Sequence, residues 1–348
     1  RSGVVIGPSA LNSASTVWCP VSLATRVSTL KAKRVRISHA AGTSTKAHGT
    51  PITIQSTIRI ASLASSENIV LASGELRVDG AASLGAGTFI WNGGDLQTGG
   101  GLTVGPDATL LIDSDGNQGL ETVIVNDGEI DQRVPVDVKF ASLSVTNRAG
   151  GTWTVSQDLM TSNRGFTFTN EGRFQKITGA DSTFGTSVRF DHRDGSVVEV
   201  MAGRLAFGDS GSSVESATGA HFIVAEGATV DLVSSDAYLS GIYTGEGEGR
   251  IEMSRGNLHV GSGEGATFNF APGLFHWTGG RILGTSETGG AFINQGHWTL
   301  SGPQMRQYIG RNLVNTGTIE HIDEGELQIT QGGAGALLVN APSGRIIH

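Results

Sequence analysis

Asp191-His192-Arg193-Asp194 is the densest run of chemically able side chains in the chain. Carboxylates, an imidazole and a guanidinium on one outer face could take a proton from a uronic-acid chain while the arginine holds its carboxylate. That would be polysaccharide lyase chemistry. Hydrolysis would instead need two carboxyl groups facing one bond at about 5–9.5 Å. A structural reading competes. Asp191 follows Asn170 by 21 residues, the interval at which Asn-x-Gly recurs along the chain, so it is assigned to a repeat corner. Asp194-Gly195 then has the composition of a turn.

Asp113, Asp115 and Asn117 place oxygen ligands at alternate positions, as calcium loops do. Gln118 stands where such a loop needs glycine, and no Glu closes it, so a polar turn is the expectation. Calcium is the one cation this run could take, and no other cofactor is expected. The histidines show no metal-ligand spacing; His276 and His297, beside Trp277 and Trp298, read as outward strand residues. Glycine runs at 99–101 and 245–249 precede no helix, which argues against a phosphate loop. Regular Thr arrays of the ice-binding kind are absent, with Thr167 and Thr169 nearly alone.

The elements that would position these residues announce themselves by repetition. Asn126-Asp127-Gly128, Asn170-Glu171-Gly172, Asn294-Gln295-Gly296 and Asn315-Thr316-Gly317 each open a short alternating strand. Looser copies start at Asn147 and Asn340, giving intervals of 21 and 23 residues in the first run and 21 and 25 in the second. A fixed period of this size marks a solenoid. Asn and Gly both tolerate positive φ, so the pair suits a sharp corner. A coil of roughly 20–25 residues holds three short strands and three corners. Stacked coils would align the asparagines as a hydrogen-bonded column, with both runs expected on one edge.

Two further repeats agree. Gly74-Glu75-Leu76-Arg77-Val78 returns at Gly203, Gly256 and Gly325, with apolar residues on one face and Glu, Arg, His or Gln on the other. Phe89-Ile90-Trp91-Asn92-Gly93-Gly94 returns as Phe275-His276-Trp277-Thr278-Gly279-Gly280. Leucine-rich repeats need a Leu-x-x-Leu-x-Leu run that does not precede Asn126 or Asn294, and kelch repeats have about twice this period.

Composition sets the remaining bounds. Gly is 52 of 348 residues and only 38% are hydrophobic, which suits a thin stack better than a large globular core. At 6% aromatic, the lumen is expected to hold Val, Ile, Leu and Ala in preference to rings. A row of exposed aromatics, such as Trp91, Trp277 and Trp298, would point to carbohydrate binding. The single cysteine, Cys19, excludes an intramolecular disulfide and reads as a buried apolar residue. No apolar run is long enough to span a membrane. The first 66 residues carry eight Lys or Arg and no Asp or Glu, so all 32 acidic residues lie after Ser66. That basic, repeat-free segment reads as a cap over the first coil, with a polyanion patch as a compatible second reading. Residues 34–37 could be a strand or the end of a short helix. The acidic remainder argues against nucleic acid.

The Trp-x-Gly-Gly and Asn-x-Gly-x-Ile repeats resemble the solenoid regions of large bacterial secreted or cell-surface proteins, such as filamentous adhesins and autotransporter passengers. The resemblance covers most of residues 69–348 and implies a right-handed parallel β-helix, export and a display or adhesion role. Pectin-lyase-like polysaccharide enzymes share that fold, but their clustered Asp pairs with an Arg-x-Lys strand are not found here.

The sequence reading is therefore an all-β, single-stranded, right-handed parallel β-helix over residues 69–348 with a basic cap over 1–68. The expected function is structural or adhesive, on a secreted or cell-surface protein, with polysaccharide or cell-surface glycan as partner and no catalysis. The alternative is a polysaccharide lyase or glycoside hydrolase using Asp191, His192, Arg193 and Asp194. Oligomeric state is left open.

Overall fold

The computed structural model describes residues 31–32, 35–37, 51–113, 118–138, 144–156, 160–162, 166–184, 188–207, 213–232, 236–260, 265–284, 290–302, 306–310, 312–323, 326–329 and 336–348. Among them every regular element is a strand, and the chain winds as a parallel β-solenoid of roughly 22 residues per coil. Each coil lays down three strands. Gln118–Glu121, Ile124–Asn126 and Glu129–Gln132 form one coil; Val136–Val138, Ser144–Asn147 and Thr152–Val155 form the next. Every pairing is parallel and joins a strand to its counterpart one coil on. The result is three faces. The first is a 7-stranded sheet continued, after a break, by an 8-stranded one. The second and third merge into one sheet because strands such as Ala82–Trp91 and Leu102–Ile112 turn the corner unbroken. Although that sheet's pairings can be traced as a closed ring, each step advances one coil, so it is a wound stack and not a barrel.

The stack is already running before residue 69. Lys31–Ala32 pairs with residues 59–60, Val35–Ile37 with Leu63–Ser65, and Ile52–Ile54 with Ile69–Leu71. Residues 35–37 are thus strand. Of the expected cap, residues 1–30, 33–34 and 38–50, with Cys19, lie outside the described residues.

Alternation decides what faces inward. On the second face one inward column reads Leu102, Ile124, Val145, Phe168, Phe190, and its neighbour reads Val104, Asn126, Asn147, Asn170, His192. On the third, Leu110, Ile130, Trp153, Phe174, Val198 and Phe222 follow one another. All of these are buried. The lumen therefore differs from expectation: rings fill it. Every described Phe and Trp is buried, and ring contacts run from Trp153–Phe168 (5.0 Å between centroids) through Phe168–Phe190 (4.9 Å) to Phe275–Trp298 (5.4 Å). The reason is geometric. Coils repeat about every 4.8 Å, so rings at equivalent positions on successive coils meet within the 4.5–7 Å at which aromatic pairs attract. Among the described residues Phe and Trp are confined to the lumen.

The asparagine columns form as expected. Asn126 Nδ2 donates to Asn147 Oδ1 at 2.8 Å, and Asn147 Nδ2 to Asn170 Oδ1 at 2.8 Å. Asn294 to Asn315 and Asn315 to Asn340 repeat this at 2.7 Å. The amides of Asn126, Asn147, Asn170, Asn294 and Asn315 also donate to a carbonyl of the following coil, as Asn126 does to Thr152 O at 3.0 Å, while that of Asn340 donates to Gly344 O in its own corner. The two runs do not share one edge, however. Asn126, Asn147 and Asn170 end strands that lead into the ladder of Glu129–Gln132, Thr152–Val155, Arg173–Lys176 and Val197–Val200. Register carries that same ladder through Ser213–Val224, Asp236–Glu246 and Ala266–Phe270 to Phe292–Asn294. The second run closes strands of the very ladder that the first run opens, so the asparagine corner has moved along the coil.

The corner glycines also differ from expectation. Gly317 does not have positive φ, and neither do Gly128, Gly172 and Gly296. A Cβ at Gly317 would lie 2.1 Å from the Gly296 carbonyl oxygen, and one at Gly128 would lie 2.1 Å from that of Gly105. Glycine is needed there because the backbone of the preceding coil occupies the space. Positive φ belongs to the other repeats, as at Gly256 (+81°) and Gly280 (+87°).

Candidate functional site

The Asp191–Asp194 cluster is dismantled by its own strand. Val188–His192 pairs with Phe166–Asn170 so that His192 follows Asn170 in the inward column and Asp191 follows Thr169 outside it. His192, not Asp191, takes the asparagine position, which corrects the sequence assignment by one residue. The imidazole lies against Phe190 (4.7 Å), Phe207 (4.8 Å) and Phe222 (5.7 Å). Burial there pushes its pKa down to about 3, so it is neutral and sealed from any substrate. A cavity of about 20 Å³, room for about one water, opens beside it between Phe207, Phe222 and Tyr243. His192 Nδ1 has no hydrogen-bond partner there among the described residues. Asp191 is fully buried between two cations, Arg189 at 3.3 Å and Arg193 at 3.7 Å. Asp194 is exposed in the turn completed by Gly195, whose φ is +81°. Asp191 and Arg193 thus meet on the wall, while His192 faces the lumen and Asp194 stands in the exposed turn.

Of the calcium-like run, Asp113 is exposed and pairs with Arg133 at 3.4 Å, while Asp115 and Asn117 lie outside the described residues. Among the described residues no three His, Cys, Asp or Glu side chains gather closely enough to hold a metal. The Thr pair has company: Ser144 and Thr146 sit in register with Thr167 and Thr169, but the next coil brings Arg189 and Asp191 and ends the patch. Trp91, Trp277 and Trp298 are all fully buried and form no outer row.

Two clusters escaped the sequence reading. On the first face, Asp231, Glu252 and His276 stand in register on three coils. Asp231 is held by Arg204 Nε at 3.0 Å and lies near Ser254 Oγ at 3.4 Å. Burial raises its pKa, and the Arg204 guanidinium opposes that rise. Glu252 accepts from Thr278 Oγ1 at 2.8 Å, and burial lowers the pKa of His276. Arg204 and Asp231 form an ion pair of the wall.

The second cluster lies on the second face. Asp236, Asn257 and Arg281 are in register on successive coils, with Tyr238, His259 and Leu283 beside them. Asp236 Oδ1 accepts from Asn257 Nδ2 at 3.0 Å and pairs with His259 Nε2 at 2.7 Å. Burial pushes the Asp236 carboxyl up, but bonds from His259 and Asn257 together hold it below its usual value. The Tyr238 and His259 rings stack at 4.6 Å and 13°. The signal in the sequence was the spacing Asp236-x-Tyr238, Asn257-x-His259, Arg281-x-Leu283 at near-coil intervals, which only strand register turns into one patch.

No family model, curated protein or solved structure matches the chain.

Proposed function

We propose that the chain is a structural and adhesive rod, part of a secreted or cell-surface protein, presenting its outer faces to glycan or other partners without catalysis. The observation that carries this reading is how the outer charges are used. Arg59 and Asp79, Arg148 and Asp127, Arg173 and Glu199, and Arg204 and Asp231 each pair across neighbouring coils. Individually such surface pairs are worth little. Together they turn part of the outer charge of the described residues to coil-to-coil contacts. Asp191 is likewise held by arginines, and His192 is turned into the lumen, which weighs against the lyase or hydrolase alternative.

The test has two arms. Pectate, alginate and glycosaminoglycan, with and without calcium, should yield no new reducing ends and no unsaturated product. Surfaces coated with the chain should retain cells or glycan. Turnover abolished by Arg193→Ala or Glu252→Gln would replace this reading with the enzymatic one.

A further inference from the structure

We infer that Asn92-Gly93 is a site of spontaneous chemical modification, where the folded chain cyclises to a succinimide and reopens as aspartate or isoaspartate. The inference goes beyond the adhesive reading and does not depend on it. The chemistry needs an asparagine followed by a residue whose backbone nitrogen is uncrowded. Asn92-Gly93 is the one Asn-Gly step in the sequence. Glycine leaves its nitrogen open to approach because it carries no Cβ. After every other asparagine comes a residue with a side chain.

The fold separates Asn92 further from the rest. Asn126, Asn147, Asn170, Asn294 and Asn315 are fully buried, and each side-chain amide is held by a carbonyl of the next coil. Asn68 accepts from Thr88 N at 2.8 Å, and Asn257 donates to Asp236 at 3.0 Å. Asn92 stands exposed at a corner, directly after the strand Ala82–Trp91. Its backbone N–H donates to Leu71 O at 3.1 Å, while its side chain and the Gly93 N–H bond to no other described residue. In the matching corner of the later repeat, the Gly279 N–H is occupied, donating to Met253 O at 3.1 Å. Attacking nitrogen and target amide are thus both unengaged at Asn92.

The reaction balances with water alone. The Gly93 nitrogen gives its proton to hydroxide and attacks Asn92 Cγ. A carbon–nitrogen bond forms, the bond to the side-chain nitrogen breaks, and that nitrogen leaves as ammonia. Water then opens the five-membered ring at either carbonyl. One opening gives aspartate. The other routes the main chain through the side chain and lengthens it by one methylene. The corner accommodates that poorly. A Cβ on Gly93 would already lie 2.2 Å from Ala72 O, and Trp91 Nε1 donates to Gly94 O at 2.9 Å across the same turn. The isoaspartate form should hold the preceding coil less well, whereas the aspartate form only adds one exposed charge.

The experiment is peptide mapping by mass spectrometry of the whole folded chain, sampled during incubation at neutral and at mildly alkaline pH. A gain of one mass unit should appear at Asn92 about tenfold or more faster than at any asparagine of the columns, and it should speed up with hydroxide. Isoaspartate methyltransferase should label the same peptide. Asn92→Gln should abolish both signals. Aged protein should melt below fresh protein, while Asn92→Asp, which carries the charge without the extra methylene, should melt with the fresh protein. An Asn92 that stays intact in the folded chain, over a time in which the urea-unfolded chain converts it, overturns the proposal. So does a mass gain without the isoaspartate label, or equal conversion in the columns. All of these readouts are separate from glycan and cell adhesion.

Discussion

Asn147 shows what one side chain does in a stack. It accepts from Asn126, donates to Asn170 and donates to Arg173 O, all while fully buried. Truncation to Ala would take one of two bonds from the Asn126 amide and one each from the Asn170 side-chain oxygen and the Arg173 carbonyl, each loss a desolvation cost. We expect Asn147→Ala to destabilise by about 3 kcal/mol or more, read from urea midpoints. A double-mutant cycle with Asn170 should give a coupling of about 1 kcal/mol; strict additivity would contradict the column. His192 makes the opposite point. Its folded pKa of about 3 lies below its ordinary 6.5. Above pH 6.5 the group is neutral folded and unfolded, and it adds no pH dependence. Below that, the unfolded chain takes a proton that the folded chain refuses, so stability falls by about 1.4 kcal/mol per pH unit until about pH 3. His192→Asn should flatten the acid limb relative to wild type between pH 6 and 4. Equal slopes would show that the ring is not sealed.

At the scale of the element, two kinds of glycine make the corners. Gly195 has φ +81° and nothing within 4 Å of its absent Cβ, so only conformation restricts it. Gly195→Ala should cost about 1–2 kcal/mol, and Gly195→Asn less. Gly317 has ordinary φ but no room, with backbone atoms at 2.1–2.8 Å from the Cβ position. Gly317→Ala should cost about 3 kcal/mol through displacement of the preceding coil, and Asn should not rescue it. Thermal midpoints of the four variants decide it; a rescue by Asn at 317 would mean the corner is conformational after all. The two sites look alike in the sequence, because composition does not distinguish a turn that needs φ from one that needs space.

Across the whole molecule, stability is a sum of coil-to-coil contacts. The ring contacts from Trp153 to Trp298 link nearly every coil in between, and Phe190 sits where five of its neighbours meet: Phe168, Phe174, Phe184, His192 and Phe207. Phe190→Ala should cost about 3–5 kcal/mol. At the other end, Ile52–Ile54 and Ile58–Ile60 pair with residues 69–71 and 76–78. Deleting residues 1–68 would bare the edges of 69–71 and 76–78, and the remaining 69–348 chain should aggregate. Light scattering that shows a monomer of undiminished heat resistance would argue against this role for the segment.

Period, strand alternation and the asparagine columns were legible in the sequence, because each repeat carries the same local chemistry and stacking merely multiplies it. What the sequence left ambiguous was phase. A shift of one residue exchanges the inside and outside of a strand, and that shift decided that His192 is a lumen residue and Asp191 a wall residue. The same limit hid the movement of the asparagine corner, which depends on how registers add across five coils with insertions between them. It hid the Asp236–Arg281 cluster too, whose members are unremarkable one by one and become neighbours only through parallel pairing. Local residue types determined the kind of coil; the accumulated register of the stack decided which side chains meet, and whether they meet in the lumen or on the surface.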